Sequence, residues 1–173
     1  MRSGLAWPPY RQQDTGGHAM IRSILACATL LLCAACASAP KPAGGWISFA
    51  TLEPGLPTNR YLACNPSICE AAGNTGDALV FASAATDVAA ALVRLQPDAE
   101  QRTLPNGDIQ LRYVAVTPIA RFRDDVDVLI RPTGPDTSQV AVYSRSRIGL
   151  SDLGKNKSRV EALAKQLDAE LAG

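Results

Sequence analysis

The side chains in this sequence that could do chemistry are few, and they fall in three places. They are the cysteines at 27, 33, 36, 64 and 69, a charged series from Asp124 to Arg147, and the turn Ser151-Asp152-Leu153-Gly154-Lys155-Asn156. A hydrolase needs a nucleophile beside a base. Ser144, Ser146 and Ser151 are candidate nucleophiles, but the sole histidine, His18, lies far upstream, and no G-x-S-x-G stretch exists. Asp124 and Asp125 are neighbours, so in a strand they point to opposite faces and cannot pair as acid and base. A phosphate loop ending in Gly-Lys-Ser/Thr is absent from the sequence. Zinc would need two ligands beyond Cys64 and Cys69. The sequence therefore predicts no catalytic residues, no cofactor and no metal, and a protein that is not an enzyme.

The charged series has more to say. With a turn centred near Pro135, antiparallel register sets Asp127 across from Tyr143 and Asp125 across from Arg145. Arg147 then lies opposite Arg123 and diagonal to Asp125. Asp125, Arg145, Arg147, Asp152 and Asn156 form a candidate cluster with two readings. In the first, the pairs are solvated and only set register, worth about 0.2–1 kcal/mol each. In the second, Arg145 or Arg147 joins Asn156 at a helix start to accept an anion. The 151–156 turn has a plainer reading too: Asp152 and Gly154 make a tight turn, and Asn156 caps the helix.

Cys36 belongs to a targeting segment. Met20-Ile21-Arg22 offers a positive start, and Ile24 to Ala35 is apolar and uncharged. That run suits a signal peptide and falls short of the roughly 20 residues a membrane span needs. Leu32-Cys33-Ala34-Ala35 before Cys36 resembles the lipobox of bacterial lipoproteins, whose cysteine is acylated and becomes the N-terminus. Cys33 stands where Leu is usual, and ordinary cleavage after Ala37 or Ala39 is the competing outcome. The expected organisation is a misassigned or disordered extension over 1–19, a signal peptide over 20–35, a lipidated Cys36 with a flexible Pro/Gly tether to 45, and one globular domain over 46–173. Cys64 and Cys69 remain in that domain. In an oxidising compartment two such cysteines most often form a disulfide, with free thiols as the alternative.

The elements that must position these residues follow from periodicity. Helical spacing of Val88, Ala91, Leu92 and Leu95 predicts a helix over 84–95, with Thr86 or Asp87 as cap. Strands are expected near 79–81, 101–104, 109–116, 120–131 and 139–148, with a hairpin turn at 105–108. Val160, Leu163, Ala164, Leu167 and Leu171 predict a final helix over 156–171. Residues 46–72 read as an irregular wrap pinned by the cysteines. The fold expected is α+β and two-layered: an antiparallel sheet of about four strands with two helices packed on one face.

The stretch from Arg121 onward resembles the family catalogued as domain of unknown function 1499. Phe122, Asp124, Asp125, Ser144, Ser146, Arg147, Gly149, Ser151, Asp152, Gly154, Asn156 and Arg159 occupy the places of its C-terminal signature. Tyr143 replaces the family's usual arginine, and Lys155 stands where Val is frequent. The likeness covers roughly 64–167. It implies a fold and an exported setting, and it brings no activity with it.

Overall charge narrows the partners. The net charge of +1 shows no basic excess, so no nucleic-acid partner is expected. Loss of everything before Ala37 leaves a net of about −1. The expected role is that of a lipid-anchored envelope module without catalysis, at the periplasmic face of the outer membrane. Its partners would be the membrane, through the anchor, and envelope proteins or a small anionic ligand. The alternative is a small-ligand or lipid binder using a sheet–helix groove; an enzyme of unrecognised type ranks below both.

Overall fold

A computed structural model describes residues 39–72 and 76–173. The extension, the signal peptide and Cys36 lie outside the described residues. Ala39–Gly173 forms one compact unit.

Its elements are β1 (Arg60–Ala63), β2 (Leu79–Phe81), α1 (Ala85–Leu95), β3 (Glu100–Thr103), β4 (Ile109–Val116), β5 (Arg123–Gly134), β6 (Thr137–Ser146) and α2 (Lys155–Ala172). The sheet is antiparallel, in the order β1-β6-β5-β4-β3, with β2 also on β6. β1 pairs with residues 142–145 of β6 and β2 with residues 138–140, so the two short strands share one edge. Six strands replace the expected four. The short strand near 79–81 is present as β2, whereas β1 lies within the stretch expected to be an irregular wrap, where four residues are too brief to show a period.

Alternation sorts the side chains. Ile109, Leu111, Tyr113, Val126, Val128, Ile130, Val140 and Val142 form one buried face beneath the helices. α1 contributes Val88, Ala91 and Leu92, and α2 contributes Val160, Leu163 and Leu167. Placing both helices on one face agrees with the periodicity. The α1 cap does not: Ala84 precedes the helix and no side chain caps it. Asp87 instead lies in the first turn, where the helix dipole favours a negative charge.

The other face is covered as well. Phe49, Leu52, Ile68 and Ala72, with the Cys64–Cys69 disulfide, pack on Leu129, Ala141 and Tyr143. This irregular layer is the wrap expected over 46–72. The disulfide closes a short loop within it, in which the backbone N–H groups of Ile68 and Cys69 both donate to the Asn65 carbonyl.

Two boundaries at one end of the sheet matter for function. β5 begins at Arg123, so residues 117–122 form a loop in place of the expected strand start, and Phe122 is half exposed. β6 ends at Ser146, two residues before the expected end. Past Arg123 the strands keep one backbone bond, from the Thr117 N–H to the Phe122 carbonyl, and then part: Pro118 cannot donate to a ladder, and Arg121 takes a left-handed backbone with φ of 55°.

Candidate functional site

The register derived for the last hairpin is the one observed: Asp125 faces Arg145 and Asp127 faces Tyr143. Asp124 and Asp125 point to opposite faces, and each is tied to an arginine further along the chain.

On the outer face, Asp125 Oδ1 accepts from Arg147 Nη2 at 2.7 Å, and both its oxygens accept from Arg147 Nε at 3.2 Å. Arg145 Nη1 meets Asp127 Oδ2 at 2.7 Å. These pairs are not solvated. Asp125 is 2% exposed and Asp127 4%. The cause is the segment leading into the domain. The Ala43 N–H donates to Asp125 at 3.1 Å, and the Lys41 carbonyl accepts from Arg147 at 2.7 Å. The Gly44 carbonyl accepts from Arg112 and the Ile47 carbonyl from Gln110. The Trp46 ring lies within 4.6 and 4.7 Å of the Arg102 and Arg112 guanidinium carbons, a cation–π contact on each. Nothing in the composition of residues 41–47 announces this docking. Burial raises the Asp127 carboxyl above the usual carboxylate range, against the lowering effect of Arg145.

On the helix side, Arg159 Nη2 meets Asp124 Oδ2 at 2.5 Å, and Nη1 donates to Ser144 Oγ and Asn156 Oδ1. Ser144 Oγ donates to Asn156 Oδ1 at 2.7 Å, while Asn156 Nδ2 donates to the Asn59 carbonyl and Ser146 Oγ. Asn156 thus uses all its amide capacity in the interior. It does not cap the helix: it lies inside α2, and Asp152 accepts from the Gly154 and Asn156 N–H groups. Gly154 takes φ of 78°, so the tight turn at Asp152 and Gly154 is present.

The five candidate residues therefore do not converge. Asp125, Arg145 and Arg147 lie on the outer face, and Asp152 and Asn156 serve the α2 entry. Tyr143, which stands where the family has an arginine, has the Arg145 guanidinium carbon 5.2 Å from its ring centroid.

Beside these struts the two end loops enclose a groove of about 640 Å3. One wall is Thr117, Pro118, Ile119, Ala120 and Phe122; the other is Ile148, Gly149, Ser151 and Leu153, with Asp124, Ser146, Asp152 and Lys155 at its polar edge. Thr58 and Asn59 hold the second loop in place. Thr58 Oγ1 donates to the Leu150 carbonyl, Asn59 Nδ2 donates to the Gly149 carbonyl at 2.9 Å, and the Asp152 N–H donates to the Thr58 carbonyl. Sequence reasoning did not find the groove, because Phe122 and Ile148 read equally well as strand residues. Leu150 and Leu153, apolar residues among turn formers, were the available signal.

A six-stranded antiparallel sheet, two helices on one face and aspartate–arginine struts on both define a small α+β domain whose concave apolar surface lies between two loops. The family model described as protein of unknown function (DUF1499) matches residues 64–167, and the chain belongs to that family. The signature residues form the two struts, the α2 turn and part of the groove lining. Among curated proteins, none matches the chain in sequence. Among solved structures, a START superfamily protein from Mycobacterium smegmatis is similar at 16% identity and a TM-score of 0.25, over 56% of this chain and 89% of that one.

Proposed function

We propose that this is an exported envelope protein, lipid-anchored through Cys36, whose domain is a non-catalytic binder of a small apolar molecule. The groove carries the reading. Its volume lies within the roughly 300–1,000 Å3 typical of small-molecule sites, and its walls are apolar with a few polar groups at the edge. The acidic and hydroxyl groups nearest to it are engaged within the fold: Asp124 by Arg159, Ser146 Oγ by Asn156, and Asp152 by the α2 entry. That leaves recognition to shape and apolar contact, with the Lys155 ammonium as the cation at the edge. The occupant that suits a lipid-anchored protein is an acyl chain. The strap over the outer face removes the exposed arginine corner that an anionic ligand would have needed.

Fluorescence titration with the fatty acid cis-parinaric acid tests this. The full mature protein is expected to bind the probe. Phe122→Asp, at a half-exposed wall position outside both struts, should weaken binding at least about tenfold by setting a carboxylate against the chain. Equal binding by the two proteins would refute the groove as the site.

A further inference from the structure

At the groove end of the domain, two of the wall residues themselves, Ile119 and Leu153, stand mostly in solvent. The tips of its loops point apolar side chains outward. Ile119 is 96% exposed, Leu153 89% and Leu150 80%. These three come from two loops separated in sequence, yet they share one end of the sheet. Single exposed apolar residues are ordinary, but a cluster of them marks an interaction surface. Arg121, Arg123 and Lys155 stand among them, exposed. Among the described residues no acid pairs with these three side chains, whereas Asp124 and Asp125 at the same end are buried and neutralised by Arg159 and Arg147. The two loops are therefore apolar at their tips and carry three exposed cations, and the one carboxylate within them that is not tied to an arginine, Asp152, is half-buried at the helix entry.

The chain's own path supplies the direction. Lys41 is held at this end by Arg147. Cys36 is five residues before it, a reach of roughly 17 Å when extended. A lipid on Cys36 would keep Lys41 within that reach of the bilayer.

We infer that the 117–123 and 147–155 loops form a membrane-contacting surface, seating Ile119, Leu150 and Leu153 in the interfacial zone of an anionic bilayer. Arg121, Arg123 and Lys155 meet the lipid headgroups. Apolar tips ringed by cations are the chemistry that interfacial segments use, and each cation near an anionic surface strengthens binding about fivefold. The groove then opens toward the bilayer, which supplies its acyl occupant. The inference rests on the lipid-anchor reading for the tether's direction, and on the loops alone for the contact.

The experiment reconstitutes the full mature protein into vesicles of phosphatidylethanolamine and phosphatidylglycerol whose acyl chains carry bromine near the headgroup. Tryptophan is placed in turn by Ile119→Trp, Leu153→Trp and, beside the β5–β6 turn at the opposite end, Val80→Trp. The parent protein, with Trp46, sets the baseline. Bromine should quench most of the emission added at 119 and 153, and none of that added at 80. A triple Arg121→Glu, Arg123→Glu, Lys155→Glu variant should lose that quenching at least about tenfold while still sedimenting with the vesicles through its lipid. Circular dichroism of each variant confirms that it is folded. Quenching at 119 and 153 no greater than at 80 would overturn the inference, as would protection of these tips by a second copy of the chain. Should the N-terminal peptide carry no lipid, the anchor reading fails alone. Quenching at 119 and 153 by added vesicles would then still uphold the surface, and its absence would overturn it. Probe binding in the groove without quenching at the tips would overturn the surface and leave the groove standing.

Discussion

Replacing Arg147 with alanine is expected to cost about 3–5 kcal/mol of folding stability, the range for removing one partner of a buried ion pair. The loss follows from what Arg147 leaves behind. Asp125 is almost fully enclosed, and with Arg147 gone its nearest cation is Arg145 at 4.0 Å, which is already engaged with Asp127. The same substitution frees the Lys41 carbonyl, so the strap over 41–47 should loosen with it. Chemical denaturation measures the first effect, and faster amide exchange at Ala43 measures the second. Asp127→Asn is the control. Burial raises the Asp127 carboxyl, so its ionisation opposes folding. Its contribution is fully present below the ordinary carboxylate pKa and is lost as pH rises through the raised value. The amide should therefore cost far less than Arg147→Ala at neutral pH. A loss below about 1 kcal/mol for Arg147→Ala would mean that the pair behaves as a surface salt bridge.

Arg159→Ala is expected to be as damaging, about 3–5 kcal/mol, on the opposite face of the same strand. Asp124, 3% exposed, would be left charged and buried, and Asn156 and Ser144 would each lose a donor. Asp124→Asn relieves the stranded charge, so the double variant Arg159→Ala with Asp124→Asn should recover more than about 1 kcal/mol over additivity. Urea unfolding of the four proteins closes the cycle. Strict additivity would show that the two residues are not coupled, contrary to their contact.

The two struts explain which parts of the fold were legible in the sequence. The alternation of Val126, Val128 and Ile130 against Asp125 and Asp127 sets parity, and parity with a turn at Pro135 sets register. Both are local properties of the chain, and both were recovered. Helical spacing in 84–95 and 156–171 is equally local, so both helices and their buried faces were legible too. What the pattern could not supply was the cover. A strand with alternating charge reads as solvated unless something lies on it, and the segment that does so, 41–47, meets Asp125 through Ala43, 82 residues earlier in the chain. The aspartates were therefore expected in water and found buried. Asn156 shows the same limit. Its position after Gly154 suits a cap, and only the tertiary contacts of Ser144, Ser146 and Asn59 show an interior hub. The groove was illegible for a further reason. It depends on β5 starting at Arg123 and not at Ala120, a shift of three residues governed by backbone conformation at Pro118 and Arg121.

The measurement that bears most directly on the central claim is the mass of the N-terminal peptide of the mature protein, taken together with the fate of a Cys36→Ser variant. A lipid-anchored envelope protein should begin at Cys36 with an acylated, lipid-bearing residue, and Cys36→Ser should accumulate as uncleaved precursor. A mature chain beginning at Ser38 or Pro40, without lipid, and unchanged processing of Cys36→Ser to a soluble protein, would contradict the claim.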